Sequence, residues 1–240
     1  MLNFESPVPL YYQIRELISE GIKEGKWAVG DMIPSENQIA GTYGVSRNTA
    51  QKAIEELVQE GLLVRRQGIG TFVAPPKIEQ SLMKFYSFSK AMESKGVSTS
   101  VKVISMTREP ASQSQAKYLG IKTGEEVYVL KRIRYADKVP IMVDTSRIPI
   151  VLAPGLDRVN FEENSLYNIL ETKYKIYITR AKEIFEPVVI RQEESSYLEV
   201  DEGSPAIMLD RIAYTNAELP VEFCRSIIPG DKCRFYTELR

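Results

Sequence analysis

No histidine occurs anywhere in this chain of 240 residues. That single absence removes the Ser-His-Asp triad, the Cys-His dyad, the HExxH zinc site and most zinc-finger patterns. Cysteine is nearly as scarce. Cys224 and Cys233 stand at no CxxC spacing and read as free thiols of a reducing compartment. No apolar run reaches the roughly 20 residues that span a bilayer. The opening residues, Met1-Leu2-Asn3-Phe4-Glu5, lack the basic flank and apolar core of a signal peptide. A cytoplasmic protein without membrane contact is expected. Charge of one sign is missing too: the net charge is −1. What is present is an ordinary globular composition, 43% hydrophobic and 26% charged, with room for one large domain or two modest ones. Carboxylate and lysine chemistry stay open, so an enzyme is disfavoured rather than excluded. Neither a metal nor a cofactor is expected.

The missing charge excess matters most at the N-terminus. Across residues 1–74, seven basic residues stand against nine acidic ones, so bulk electrostatics does not point to a polyanionic partner. The local pattern does. Pro9 suits the first turn of a helix, and Leu10, Ile14, Leu17, Ile18 and Ile22 recur at helical spacing. Gly25 and Gly30 break the chain around Trp27. Ser35, with Gln38 three residues on, forms a capping box that starts a second helix. Ile39, Ala40 and Tyr43 are its buried side, and Gly44 is its left-handed stop. Ser46 caps a third helix almost at once, with Ala50, Ala53, Ile54, Leu57 and Val58 as the inner face and Gly61 as the end. Two short helices joined by a turn containing glycine have the helix-turn-helix outline. Leu62 to Arg66, the turn Gln67-Gly68-Ile69-Gly70 and Thr71-Phe72-Val73 then read as a hairpin in the position of a wing.

Pro34-Ser35-Glu36, Val45-Ser46-Arg47-Asn48-Thr49, Glu60-Gly61-Leu62-Leu63 and Gly68-Ile69-Gly70-Thr71-Phe72-Val73 follow one another in an order that resembles the GntR family of bacterial transcription regulators. The resemblance implies that double-stranded DNA is a partner and that the third helix lies in its major groove. The contact set it implies is Ser35, Ser46, Arg47, Asn48, Thr49, Gln51 and Lys52, with Arg65, Arg66, Gly68 and Gly70 on the wing. Arg47 can donate two hydrogen bonds to guanine and Gln51 can pair with adenine. The free N–H groups behind Ser46 attract a phosphate. Two positions depart from the family. Asn37 stands where arginine is common, and Ile69 occupies the wing tip where a basic residue is usual, so the recognition helix is expected to carry more of the binding than the wing tip. Taken alone, Arg47 and Lys52 would also pass as solvated helix residues.

Ala74-Pro75-Pro76-Lys77 is a stiff connector. The division expected is a winged helix-turn-helix over 1–74, a linker over 75–81 and an effector domain over 82–240, beginning with a helix-like stretch from Ser81 to Glu93. The last part contains a duplication. Tyr118-Leu119-Gly120-Ile121 recurs as Tyr197-Leu198-Glu199-Val200, Leu130-Lys131-Arg132-Ile133-Arg134-Tyr135 as Leu209-Asp210-Arg211-Ile212-Ala213-Tyr214, and Val139-Pro140 as Leu219-Pro220. Two such copies suggest an α+β domain around one antiparallel sheet. Arg132 and Arg211 correspond, which reads as structural. Arg134 corresponds to Ala213, so Arg132 and Arg134, two apart on one strand face, form a candidate anion clamp. Spacing alone leaves open that they simply pair with surface carboxylates.

The order of parts resembles the HutC subfamily, whose effector domain, UTRA, has a chorismate-lyase-like fold. The resemblance is nearest to the repressors of N-acetylglucosamine use. It implies a phosphorylated sugar or amino sugar as effector, with the phosphate at Ser87, Ser89, Arg132, Arg134 and Ser165, and Phe88 also in the effector-binding set. Sugar hydroxyls would fall to Asp144 and Glu222, with Tyr167 and Arg180 as lining residues. Asp144 stands where those regulators carry a longer glutamate, and Ile228 where a tyrosine is common. The expected protein is a homodimeric transcription regulator, a repressor by resemblance, whose two-fold symmetry matches a palindromic operator. Two rivals remain at this point. One is a constitutive DNA-binding regulator with a ligand-free C-terminal dimerisation domain. The other is an enzyme with a DNA-binding appendage, for which no paired nucleophile and base are present.

Overall fold

A computed structural model describes residues 2–74, 78–81 and 98–237. The chain divides into two units, Met1–Lys77 and Ile78–Arg240. Among the described residues no helix is long and apolar enough to cross a membrane.

In the first unit, α1 (Leu10–Lys23) starts directly behind Pro9. It buries Ile14 and Ile18. α2 (Glu36–Tyr43) opens with a reciprocal capping box between Ser35 and Gln38 and closes on Gly44 at φ 66°. α3 (Arg47–Gln59) opens on Ser46, whose hydroxyl accepts from the Thr49 N–H at 3.1 Å. β1 (Leu63–Arg66) and β2 (Gly70–Val73) pair antiparallel with Leu63 opposite Val73. Apolar residues at helical spacing on α1, α2 and α3 converge with Leu63 and Val73 on one core built around Ile14, Ile39, Ile54 and Leu57. The hairpin expected from the sequence gains a third member: Met32 bridges to Phe72. Gly70 sits at φ 154°, a conformation that strains any side chain, and a Cβ there would also displace the Met32 sulfur 2.8 Å away.

In the second unit, β3 (Ile78–Ser81) pairs in parallel with β10 (Cys233–Tyr236). Residues 78–81, read as linker from the sequence, are therefore a strand of this unit. The remaining strands form one six-stranded sheet in the order β4-β5-β6-β9-β8-β7. These are β4 (Thr99–Pro110), β5 (Glu126–Ala136), β6 (Val139–Pro149), β7 (Ile178–Val189), β8 (Pro205–Thr215) and β9 (Pro220–Pro229). All neighbours run antiparallel. The duplication is visible as two three-stranded meanders joined along β6 and β9. Each contributes one short helix to the same face, α4 (Gln113–Leu119) and α6 (Gln192–Leu198). Both helices lie across the two copies. Ala116 and Leu119 of α4 pack with Val127 and Val129 of the first copy and with Ile212 and Phe223 of the second, and Leu198 of α6 packs with Ile133 and Val143 of the first and with Ala206 of the second. The opposite face is covered by two 3-10 turns (Ile150–Leu152 and Leu156–Arg158) and α5 (Leu166–Tyr174). Leu156, Phe161, Leu166 and Leu170 from this segment pack on Tyr128, Leu130 and Ile148. Strands alternate faces, so Arg132, Arg134, Met142, Asp144, Glu222, Cys224 and Ser226 share the face under α5. The helix expected over Ser81–Glu93 lies outside the described residues beyond Ser81.

Candidate functional site

In the first unit the start of α3 is the exposed end. Ser46, Arg47, Asn48 and Lys52 are open to solvent, and Thr49 and Gln51 are half-buried. The Ser46 hydroxyl lies 2.8 Å from the Thr49 hydroxyl. Glu36, at the start of α2, gathers the cations: it accepts from Arg65 at 2.8 Å and lies 3.7 Å from Arg47. The Gln51 amide donates to Glu55 at 2.8 Å. The Lys52 ammonium sits 3.8 Å from the Tyr11 ring centroid and the Arg66 guanidinium 4.7 Å from that of Phe72. These weak contacts hold cationic heads near a solvent-exposed face without neutralising them. The acidic excess is placed elsewhere. Arg15 collects Glu16 and Glu60, at the end of α3 away from Arg47. Gly68 (φ 72°) and Ile69, 69% exposed, form the wing tip. Ser35 is committed to the capping box, bonding Gln38 at 3.0 Å.

In the second unit a cavity of about 270 Å³ lies between the sheet and residues 161–167. Of the effector set expected from the sequence, Arg132, Arg134, Asp144, Ser165, Tyr167 and Glu222 line it. Ser87, Phe88 and Ser89 lie outside the described residues. Arg180 does not line it. Its guanidinium donates to Glu218 at 3.0 Å and stacks 4.1 Å from the Tyr214 centroid, at the solvent edge of β7.

Asp144 is the centre of the cavity's first half. Arg132, directly opposite it on β5, donates to Asp144 Oδ1 at 2.8 Å and to the Ser146 hydroxyl at 3.0 Å. Arg134 donates to Asp144 Oδ2. Asp144 is 1% exposed and Arg132 3%. Burial works against the Asp144 charge, but Arg132 and Arg134 outweigh it and hold its pKa below the ordinary value. Two guanidinium groups thus converge on one carboxylate in this half. The N-terminus of α5 lies beside it, where Ser165 makes no side-chain capping bond. The loop before α5 is tied to the sheet edge by the Val103 N–H, which donates to Glu162 at 3.0 Å.

The second half is built from β8, β9 and α5. The Tyr167 hydroxyl donates to Glu222 at 2.6 Å, and burial, then the Glu222 charge, pushes the phenol well above its ordinary pKa. Arg211 donates to Glu183 at 2.7 Å. Burial opposes the Arg211 charge, but Tyr167 and Glu183 more than offset it. Cys224, level with Ser146, is pushed up to about 12 by burial and by Asp144 and Glu222, so it stays a thiol. Sequence reasoning missed Ser226, Met142, Cys224, Asn164 and the cavity-lining position of Arg211, and the Ser146 hydroxyl that accepts from Arg132. The strand period (i, i+2) could have found Ser146, Ser226, Met142 and Cys224, since each shares a face with Asp144 or Glu222. Among the described residues no group of three His, Cys, Asp or Glu is placed to hold a metal ion.

Two family models match the chain. Residues 10–73 match bacterial regulatory proteins of the gntR family, and residues 94–234 match the UTRA domain. The HTH-type transcriptional repressor NagR of Bacillus subtilis is 34% identical over 98% of this chain and 96% of its own length. A probable fructoselysine utilization operon transcriptional repressor of Shigella flexneri is 33% identical over 90% of each. The crystal structure of PhnF from Mycobacterium smegmatis covers 95% of this chain and 99% of its own at a TM-score of 0.69, with 29% identity. With its exposed α3 and wing in one unit and its ionic cavity in the other, the chain belongs to the GntR family of DNA-binding transcription regulators, with a UTRA domain following the helix-turn-helix.

Proposed function

We propose that this protein is a homodimeric cytoplasmic repressor, rather than an enzyme, and that a phosphorylated sugar controls its grip on an operator. The observation that carries the reading is the Arg132–Asp144–Arg134 cluster, where two guanidinium groups converge at a cavity of about 270 Å³. A dianionic phosphate matches paired guanidinium groups through charge-assisted, two-pronged hydrogen bonds. The α5 N-terminus adds unpaired N–H groups of the kind that favour phosphate. The sugar body is supported by polar groups spread round the cavity, Asn164, Ser226 and Glu222, and by the relative named for fructoselysine utilization. On DNA, we assign base contacts to Arg47, Asn48, Thr49, Gln51 and Lys52, and backbone contacts to Ser35, Ser46, Arg65 and Arg66, with Gly68 and Gly70 allowing close approach of the wing.

The effector acts only through a difference in affinity between the DNA-bound and free states. The test is fluorescence anisotropy on an operator selected from a random duplex library, titrated with sugar 6-phosphates. Release of wild type, with Arg134→Ala needing on the order of ten-fold or more effector, is expected from the loss of one charge-assisted contact. An unchanged response of Arg134→Ala would overturn the phosphate assignment.

A further inference from the structure

The face of the sheet that bears α4 and α6 carries a cluster of charge of its own. Strands alternate faces, so Thr145 and Arg147 of β6 stand on the side away from Asp144. Register places Thr145 opposite Arg225 and Arg147 opposite Phe223 on β9, and these four residues are the corners of one cell of the sheet. Both guanidinium groups lie beside the Phe223 ring, Arg147 at 5.9 Å and Arg225 at 6.0 Å from its centroid. Tyr118 of α4 stacks on the same ring at 4.7 Å.

The neighbouring cations each have a carboxylate. Arg225 donates to the two oxygens of Asp210 at 2.7 and 2.6 Å, and Lys131, opposite Thr145, pairs with Glu193. Arg147 is different. Among the described residues it makes no ion pair and no hydrogen bond, and its Nε is sealed from solvent without an acceptor, while its terminal nitrogens are not sealed. Burial draws its pKa below the ordinary arginine value, the Glu109 charge does not restore it, and Arg225 adds repulsion. A half-buried cation left in this state is costly. The fold does not require it. The duplication that aligns Val139-Pro140 with Leu219-Pro220 aligns Arg147 with Ile227, which packs in the apolar cluster of Ile133, Val143 and Leu198. One copy thus fills the position with hydrocarbon and the other with an uncompensated cation.

We propose that Arg147, with Arg225 and Thr145, forms a second anion site on the helix-bearing face, separate from the effector cavity. It takes the oxyanion of a small molecule or ion, a phosphate, sulfate or carboxylate. Arg147 supplies its two terminal nitrogens, Arg225 the Nη1 that Asp210 leaves over, and Thr145 a hydroxyl beside both. The site shares β6 with the cavity but no side chain. An anion here therefore braces the strand that carries Asp144 without competing for the effector.

The experiment is thermal melting of the full chain in phosphate, sulfate and citrate, each titrated against chloride at constant ionic strength. Arg134→Ala controls for anions that enter the cavity. Wild type and Arg134→Ala should each gain about 3 °C or more at roughly ten times the half-saturating concentration of at least one of these anions. Arg147→Ile, which copies the other half of the duplication, should lose that gain. Should it fail to fold, Arg147→Gln, which stays polar and removes the charge, provides the same comparison. No saturable gain from any of the anions overturns the proposal. A gain that survives in the Arg147 variants, or that vanishes in Arg134→Ala, places the anion elsewhere and overturns it as well. If Arg147→Ile turns a dimer into a monomer while the anions have no effect, the missing partner is a carboxylate of a second copy, and the proposal is again overturned.

Discussion

Arg47 and Asp144 show how opposite surroundings set the work of a charged side chain. Arg47 is 66% exposed and only loosely paired, 3.7 Å from Glu36, so it is available to a base edge. Arg47→Ala should weaken operator binding by about 1–3 kcal/mol and relax sequence preference at one base pair. Anisotropy titration against single-base operator variants reads both effects. Asp144 is sealed between two arginines, and its loss leaves the buried Arg132 without its carboxylate. Asp144→Asn should destabilise the second unit by about 3–5 kcal/mol near neutral pH. The sign of the pH dependence follows from the lowered pKa. The stability that Asp144 supplies is present above the ordinary carboxylate value of 3.8. It is lost as pH falls through the lower folded value. Urea denaturation at neutral pH and again in acid should therefore show the gap between wild type and variant closing in acid.

Among the elements, what was legible in the sequence is what closes within three or four residues. Ser35 with Gln38, Gly44 and Ser46 define α2 and the start of α3 because each capping bond is local. The duplicated strands were legible for a similar reason, as a pattern repeated along the chain. The cavity was only partly so. Arg132 and Arg134 announce a clamp by their spacing, but the carboxylate that occupies it arrives from β6, and the Tyr167–Glu222 bond joins residues 55 apart. Nothing local encodes such a pairing, and the Met32–Phe72 bridge was hidden in the same way. The repeated helix ends supply a test. α4 ends on Gly120 at φ 64°, whereas α6 ends on Glu199 in the same left-handed conformation at φ 54°. A side chain there is strained. Glu199→Gly should stabilise the protein by about 0.5–1 kcal/mol, the left-handed penalty less the added freedom of the unfolded chain. Thermal melting would show the rise, and a fall would mean that the Glu199 side chain has a compensating role.

At the scale of the whole molecule, the sharing of helices between the two copies ties the second unit into one cooperative body. Each helix packs on strands of both meanders, so neither half buries its apolar face alone. A single unfolding transition is expected for this unit, with fluorescence and circular dichroism coincident. Two separated transitions within residues 78–240 would contradict that sharing. The homodimer proposed for operator binding belongs to this scale as well and is read by light scattering.

The parallel pairing of β3 with β10 has a practical consequence for dissecting such regulators. The family match to the effector domain runs from 94 to 234, so a fragment cut there discards β3 and severs β10 after its second residue. What remains is a sheet margin with open N–H and C=O groups beside the apolar cluster of Met142, Leu209, Ile228 and Cys233, the kind of edge that recruits other chains. A fragment spanning 94–234 should precipitate or form large oligomers at concentrations where one spanning 78–240 stays dispersed, which light scattering separates directly. The boundary that similarity draws and the boundary that solubility requires differ by the length of one strand and the segment that follows it.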